Sequence, residues 1–173
     1  VNYSGELGDG TGNNANHTSD KNVPVVVSGL NHIVQISAGR DNTLALRSDG
    51  TVWAWGYNGN GQIGNGTGVS KSVPVQTLKL TNIVQVAGSQ SHSMALGADG
   101  TVWVWGYNGT GAFGDGTFKS SNTPVVVPNF SGVVQLAGGG AHTLALKSDG
   151  SVWSWGANDR GQLGDGLGGD NRS

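Results

Sequence analysis

Apolar and polar positions alternate in short runs along the whole chain, and apolar residues nowhere recur at the three-and-four spacing of an amphipathic helix. The runs come in sets of four. Val23 to Val27 is apolar around Pro24, and Ile33 to Gly39 starts apolar and ends on small residues. Thr43 to Arg47 and Thr51 to Gly56 follow, joined by Ser48-Asp49-Gly50. Asp-Gly between two alternating runs predicts a hairpin, because glycine takes the positive φ that the turn demands. Proline has no N–H to donate and sits comfortably only on an edge strand. Small residues suit a strand where several sheets crowd together. The set therefore predicts a four-stranded antiparallel meander, with the Ile33 to Gly39 segment innermost and the proline-bearing segment outermost.

The set returns at intervals of fifty residues. Outermost strands are predicted at Val23 to Val27, Val73 to Thr77 and Thr123 to Val127, and the Asp-Gly turn recurs at Asp99-Gly100 and Asp149-Gly150. Three units result, 23–72, 73–122 and 123–173, preceded by a loop segment and partial unit at 1–22. In that segment Ser4 to Gly12 copies Asn60 to Gly68. Four strands in about 40 to 50 residues is the size of a β-propeller blade, and a unit this small cannot close a core alone. The units must stack, forming one all-β domain of three blades per chain.

The motif Gly139-Gly140-Ala141-His142-Thr143-Leu144-Ala145-Leu146, followed by Ser148-Asp149-Gly150, Val152-Trp153-Ser154-Trp155-Gly156 and Gly161-Gln162-Leu163-Gly164-Asp165-Gly166, resembles the regulator of chromosome condensation repeat. The resemblance covers nearly the whole chain. It implies a β-propeller, usually of seven blades. That family includes a guanine-nucleotide exchange factor that binds a small nuclear GTPase and chromatin, and secreted bacterial inhibitors of β-lactamase. Three blades fall short of the roughly four that close a ring. The expectation is thus a partial propeller, or a ring completed by oligomerisation. Val23 to Val27 of one chain would finish the last blade of another, and a twofold dimer is favoured.

Composition narrows the functional classes. Charged residues make up 12% of the chain and the formal net charge is −2, with no Lys/Arg cluster to follow a phosphate backbone, so nucleic acid is not expected as a partner. No apolar run reaches the roughly 20 residues of a membrane-spanning helix. Cysteine is absent, which removes disulfides and thiolate metal sites. Low charge with abundant Asn, Gly, Ser and Thr points to an exported or surface protein of a bacterium.

Most candidate chemistry falls on repeated positions, which read as structure. His92 and His142 occupy one such position, with Asn42 in the first copy, and a polar side chain there can bridge neighbouring blades. Trp53, Trp55, Trp103, Trp105, Trp153 and Trp155 lie two apart in pairs, so each pair shares a strand face suited to interblade packing. Exposed tryptophans in terminal blades leave a carbohydrate-binding module as the alternative. Asp9, Asp115 and Asp165, with Asn65 in the remaining copy, offer one oxygen-bearing side chain per loop, too few for calcium. His17 and His32 have no second ligand nearby, so no metal and no cofactor is expected, and no nucleophile motif stands apart from the repeat. The leading reading is a non-enzymatic protein-interaction scaffold whose partner is a protein of unstated identity. Differences between copies should then mark the binding rim, and these select Arg40, Asp41, Tyr57, Tyr107, Asp159 and Arg160.

Overall fold

The computed structural model describes residues 2–12, 19–167, 169 and 171, and among them are eleven strands and no helix. Blade 1 comprises β1 (Ile33–Ala38), β2 (Asn42–Arg47), β3 (Val52–Gly56) and β4 (Lys71–Gln76). Blade 2 comprises β5 (Ile83–Gly88), β6 (His92–Gly97), β7 (Val102–Gly106) and β8 (Ser121–Val126). Blade 3 has β9 (Val133–Gly138), β10 (His142–Lys147) and β11 (Val152–Gly156). Strands pair in chain order and antiparallel throughout, so each sheet is a meander and the chain is a partial propeller.

The hairpins form for the reason the sequence suggests. Gly50 N–H donates to Arg47 O at 3.0 Å and Arg47 N–H to Thr51 O at 2.9 Å, with Gly50 at φ 79°. The Asp49 carboxylate accepts the Thr51 N–H at 3.0 Å and braces the turn. The outer strands are displaced from their predicted bounds. β4 and β8 begin two residues earlier than expected because Lys71 and Ser121 pair with Gly56 and Gly106, the last residues of β3 and β7. Val23 to Val27 is not a strand. A strand needs a hydrogen-bonding neighbour, and among the described residues none lies beside it; the chain is tied instead through Ser28 N–H to Gly8 O at 3.1 Å.

No blade holds a core of its own. One apolar cluster joins Leu44, Leu46, Val52 and Ile63 of blade 1 to Ile83, Val86, Ala95 and Trp105 of blade 2. A second joins Met94, Leu96, Val102, Val104 and Phe113 of blade 2 to Val133, Leu136, Ala145 and Trp155 of blade 3. Innermost β1, β5 and β9 approach so closely that a Cβ at Gly88 would stand 2.8 Å from the Gly39 nitrogen. Only glycine fits that convergence.

A glutamine fastens each junction. The register slips by one residue in every inner strand pair, a bulge that aims Gln35 and Gln85 at the next blade. Gln35 accepts the Val86 N–H at 2.8 Å and donates to Val86 O at 3.2 Å. Gln85 accepts from Leu136 N–H and donates to Leu136 O, both at 2.9 Å. The side chain thereby substitutes for a strand partner that the blade geometry denies to the inner edge.

Candidate functional site

Antiparallel pairing places the β1–β2 turns and the loops that follow β3, β7 and β11 at one end of every sheet, since Asn42 lies opposite Gly56 and His92 opposite Gly106. These segments form one rim. They are linked by Tyr57 N–H to Asp41 O at 2.6 Å, Tyr107 N–H to Ser91 O at 2.9 Å and Ala157 N–H to Ala141 O at 3.0 Å. Arg40 N–H reaches Ser89 O of the next blade at 3.3 Å.

Each rim loop is built around a buried asparagine. The Asn58 carboxamide oxygen accepts the Ile63 N–H at 2.9 Å while its nitrogen donates to Thr67 O at 2.9 Å and Val69 O at 3.2 Å. Asn108 repeats this with Phe113 and Thr117, and Asn158 with Leu163 and Leu167. Asn2 does the same for Leu7 and Thr11. All four are fully buried. In sequence they look like part of the variable stretch beside Tyr57 and Tyr107; the return of Asn58, Asn108 and Asn158 at an interval of fifty was the signal available.

All six predicted contact residues lie on this rim: Arg40, Asp41 and Tyr57 on blade 1, Tyr107 alone on blade 2, and Asp159 and Arg160 on blade 3. Arg40 and Asp41 form an exposed ion pair at 3.5 Å beside Tyr57, and Arg160 and Asp159 another at 3.7 Å. The Gln162 amide, donating at 2.7 Å, holds the Asp159 carboxyl below the usual carboxylate range, with a smaller push from Arg160. Tyr57 and Tyr107 fold their half-exposed rings over Gly59 and Gly109, where an added Cβ would collide with the phenol oxygen. Blade 3 has Ala157 and Asp159 in the corresponding places. The frame is thus constant and the tips differ.

Other candidates serve the junctions. His92 is buried, with Nδ1 2.7 Å from Ser89 Oγ and Nε2 2.9 Å from Thr143 Oγ1 of blade 3. Asn42 reaches Ser93 Oγ of blade 2 at 3.4 Å. His142 keeps a buried Nδ1 without a partner. Trp55, Trp105 and Trp155 are buried and donate to Glu6 O at 2.8 Å, Gln62 O at 2.6 Å and Ala112 O at 2.9 Å, each clamping the loop of the preceding repeat. Trp53 and Trp103 are half-buried, whereas Trp153 of the terminal blade is 50% exposed, edge-on to Phe130 at 5.6 Å.

Asp9, Asn65, Asp115 and Asp165 each accept the N–H two residues ahead, bracing a turn. Among the described residues no group of three or more His, Cys, Asp or Glu side chains is placed to hold a metal. His32 is exposed against Asn31, and His17 lies outside the described residues. No helix among the described residues is long and apolar enough to cross a membrane.

A family model described as the regulator of chromosome condensation (RCC1) repeat matches residues 1–46, 49–96 and 99–146, and a second with the same description matches 33–62, 83–112 and 133–162. Among solved structures, human WBSCR16 is similar over the whole chain at 27% identity and TM-score 0.82, the chain covering 45% of it. Prp20p of Saccharomyces cerevisiae matches 83% of the chain at 24% identity and TM-score 0.71, with 37% of that protein covered. The ectodomain of the Physcomitrella patens receptor kinase CR4 shares the fold over 84% of the chain, at 20% identity and TM-score 0.57, with 36% of it covered. The chain therefore spans less than half the length of each.

Proposed function

The chain belongs to the regulator of chromosome condensation (RCC1) repeat family, and on that premise we propose that it is a non-enzymatic scaffold holding a protein partner on the rim of Arg40, Asp41, Tyr57, Tyr107, Asp159 and Arg160. The observation that carries this reading is the contrast on that rim. Buried Asn58, Asn108 and Asn158 hold three loops in one conformation, while the exposed side chains at their tips differ from blade to blade. A rigid frame with variable tips binds with little ordering cost, which is what a recognition surface requires. Tyrosine and arginine are also the residue types that dominate protein interfaces. The Prp20p structure is described with that protein's binding to Gsp1p and histones, and a second with Kap60 bound to it, so a protein that shares this fold binds other proteins.

The test is site-specific photo-crosslinking in the native host. A crosslinker at Tyr57 or Tyr107 is expected to capture one defined protein, and Arg160→Glu to weaken its binding at least tenfold. Capture that survives Arg160→Glu and Tyr107→Ala together refutes the reading. A carbohydrate-binding module remains the second reading, favoured by exposed Trp153 beside Phe130; quenching of tryptophan fluorescence by soluble glycans, lost in Trp153→Ala, would establish it.

The partners proposed include a second copy of the chain. Each end face of the arc exposes apolar residues that its sister blades bury. Ile36 is 72% exposed where its counterparts Val86 and Leu136 are buried, and Val152 is 69% exposed where Val52 and Val102 are buried. Gln135, which corresponds to Gln35 and Gln85, is exposed on the same end as Val152.

A further inference from the structure

The rim opposite the loops carries the hairpin turns, and there the three copies diverge in a way that leaves a recess in blade 2. In blade 1 the Arg47 guanidinium lies 5.8 Å over the Trp53 ring and 3.7 Å from Asp49, and donates to Asn31 at 2.9 Å. In blade 3 the Lys147 ammonium lies 5.2 Å over Trp153 and 5.0 Å over Phe130, and its charge helps to hold the Asp149 carboxyl below the usual range after the Ser151 hydrogen bonds. Blade 2 has Gly97 at this position. Its ring, Trp103, and its carboxylate, Asp99, are present, but among the described residues no cation stands over that ring or acts on that carboxyl, which hydrogen bonds from Thr101 hold low. Among the described residues the Trp103 indole N–H also lacks the hydroxyl partner that Thr51 and Ser151 supply to Trp53 and Trp153.

Bare Gly97 borders a recess of about 470 Å³ between blades 1 and 2, and the Asp99 carboxylate leans over it, its Oδ1 2.7 Å from where a Cβ would stand. Trp103, Asp99, Gly97, Asn82 and Asp49 line it. Its volume suits a side chain or small molecule. Asp49 is already paired with Arg47, so the Asp99 carboxylate is the charge that remains to be answered.

We propose that this recess binds the guanidinium or ammonium group of a basic side chain on the protein partner, seated over Trp103 and against Asp99. The chain's own repeats supply the reason: the equivalent ring holds a cation in both sister blades, and in blade 1 the equivalent carboxylate pairs with it at 3.7 Å, so the chemistry of the absent ligand is that of Arg47 and Lys147. A cation over an indole face is favoured by the ring's negative face, and a neighbouring carboxylate adds to it. The inference deepens the scaffold reading and rests on it, because it assigns the partner a basic contact residue on the second rim.

The experiment follows the six indole N–H signals of the ¹⁵N-labelled full chain by NMR, titrated with the blocked peptide acetyl-Gly-Arg-Gly-amide at millimolar concentration. The Trp103 signal, assigned by its loss in Trp103→Phe, is expected to shift saturably and the others much less. Asp99→Asn should weaken the effect at least fivefold. Gly97→Arg, which restores the sister-blade cation, should abolish it while the other five signals report an intact fold. The neutral peptide acetyl-Gly-Gln-Gly-amide should give no shift. Equal shifts with the neutral peptide, no shift at Trp103, or an unchanged response in Gly97→Arg would each overturn the site. A partner captured on the loop rim whose affinity ignores Gly97→Arg would remove the site and leave the scaffold standing. Peptide binding with no protein partner would do the reverse.

Discussion

His92 of blade 2 meets Thr143 of blade 3 with Nε2 2.9 Å from Oγ1, and the same threonine hydroxyl donates onward to Ala112 O at 2.8 Å. A polar chain thus crosses the most buried part of the junction with every link satisfied. Asn42 makes the shorter version of this crossing to Ser93, whose hydroxyl passes to Gln62 O at 2.9 Å. At the histidine position the Asn42 amide nitrogen reaches the hydroxyl of the next blade, while its Oδ1 is buried without a partner, so asparagine keeps the crossing but not the second hydrogen bond that His92 makes to Ser89.

This burial makes His92 a source of acid sensitivity. Loss of water, with a smaller contribution from His142, lowers its pKa from 6.5 to about 4. Between those values the unfolded chain binds a proton that the folded chain refuses, so the stabilisation is complete above about pH 6.5 and is lost as pH falls toward 4. A shift of this size corresponds to on the order of 3 kcal/mol. His92→Asn, which copies the Asn42 arrangement, should fold and show a flatter stability profile across pH 6.5 to 4 than the parent chain. Parallel profiles in urea unfolding would acquit His92.

The glutamine clamps give a prediction with an internal control. Gln85→Leu keeps the side chain's bulk but leaves the Leu136 N–H and C=O without partners, a loss of about 2–4 kcal/mol. Gln135→Leu, on an exposed side chain that grips no neighbouring strand, should change the stability of the monomer by about 0.5 kcal/mol or less. Urea midpoints of the two variants decide it; equal losses would mean that the clamp contributes nothing beyond local strand structure.

The blade architecture, the hairpins and the innermost position of β1, β5 and β9 were legible in the sequence because each rests on a local rule: alternation, Asp-Gly turn chemistry, or small residues in a crowd. The residues that lock neighbouring parts together were not. Gln35 and Gln85 act through a bulge, which shifts the register and redirects a side chain that simple alternation would aim elsewhere. Asn58 and Asn108 are polar residues within Gly-rich loops and resemble surface until their hydrogen-bonding groups are traced inward. Val23 to Val27 carries the outer-strand pattern around Pro24, yet pattern cannot supply the neighbour on which a strand depends. On the rims, Tyr57 and Tyr107 were visible as differences between copies, whereas the open indole face of Trp103 shows only when three hairpins are compared in space.

The asparagine anchors should control the rim more than its tips do. Asn108→Ala strands the Phe113 N–H and the Thr117 carbonyl and should cost about 2–4 kcal/mol. The Phe113 amide should then exchange with solvent far faster, while Tyr107→Ala leaves its protection intact. If both variants exchange alike, the loop is held by something other than Asn108.

Head-to-tail association makes the sharpest prediction about the end faces. Between blades 1 and 2, Val52 and Leu44 pack toward Val86 and Trp105, and Gln35 grips the Val86 backbone. At a junction between copies the equivalent meeting is Val152 and Leu144 with Ile36 and Trp55, and Gln135 with the Ile36 backbone. The junction is not free of obstruction. Glu6 already accepts from the Trp55 indole as Gln62 does from Trp105, so of residues 2–12 of one copy and the Gln162 loop of the other only one can occupy that place. Light scattering across a concentration range should show a multiple of the 17.6 kDa chain, 35 kDa for a dimer. Ile36→Asp and Val152→Asp, changing one end face each on residues exposed in the single chain, should each return it to monomer without loss of secondary structure. A folded monomer at every concentration would show that the loop obstruction wins and that the end faces do not join.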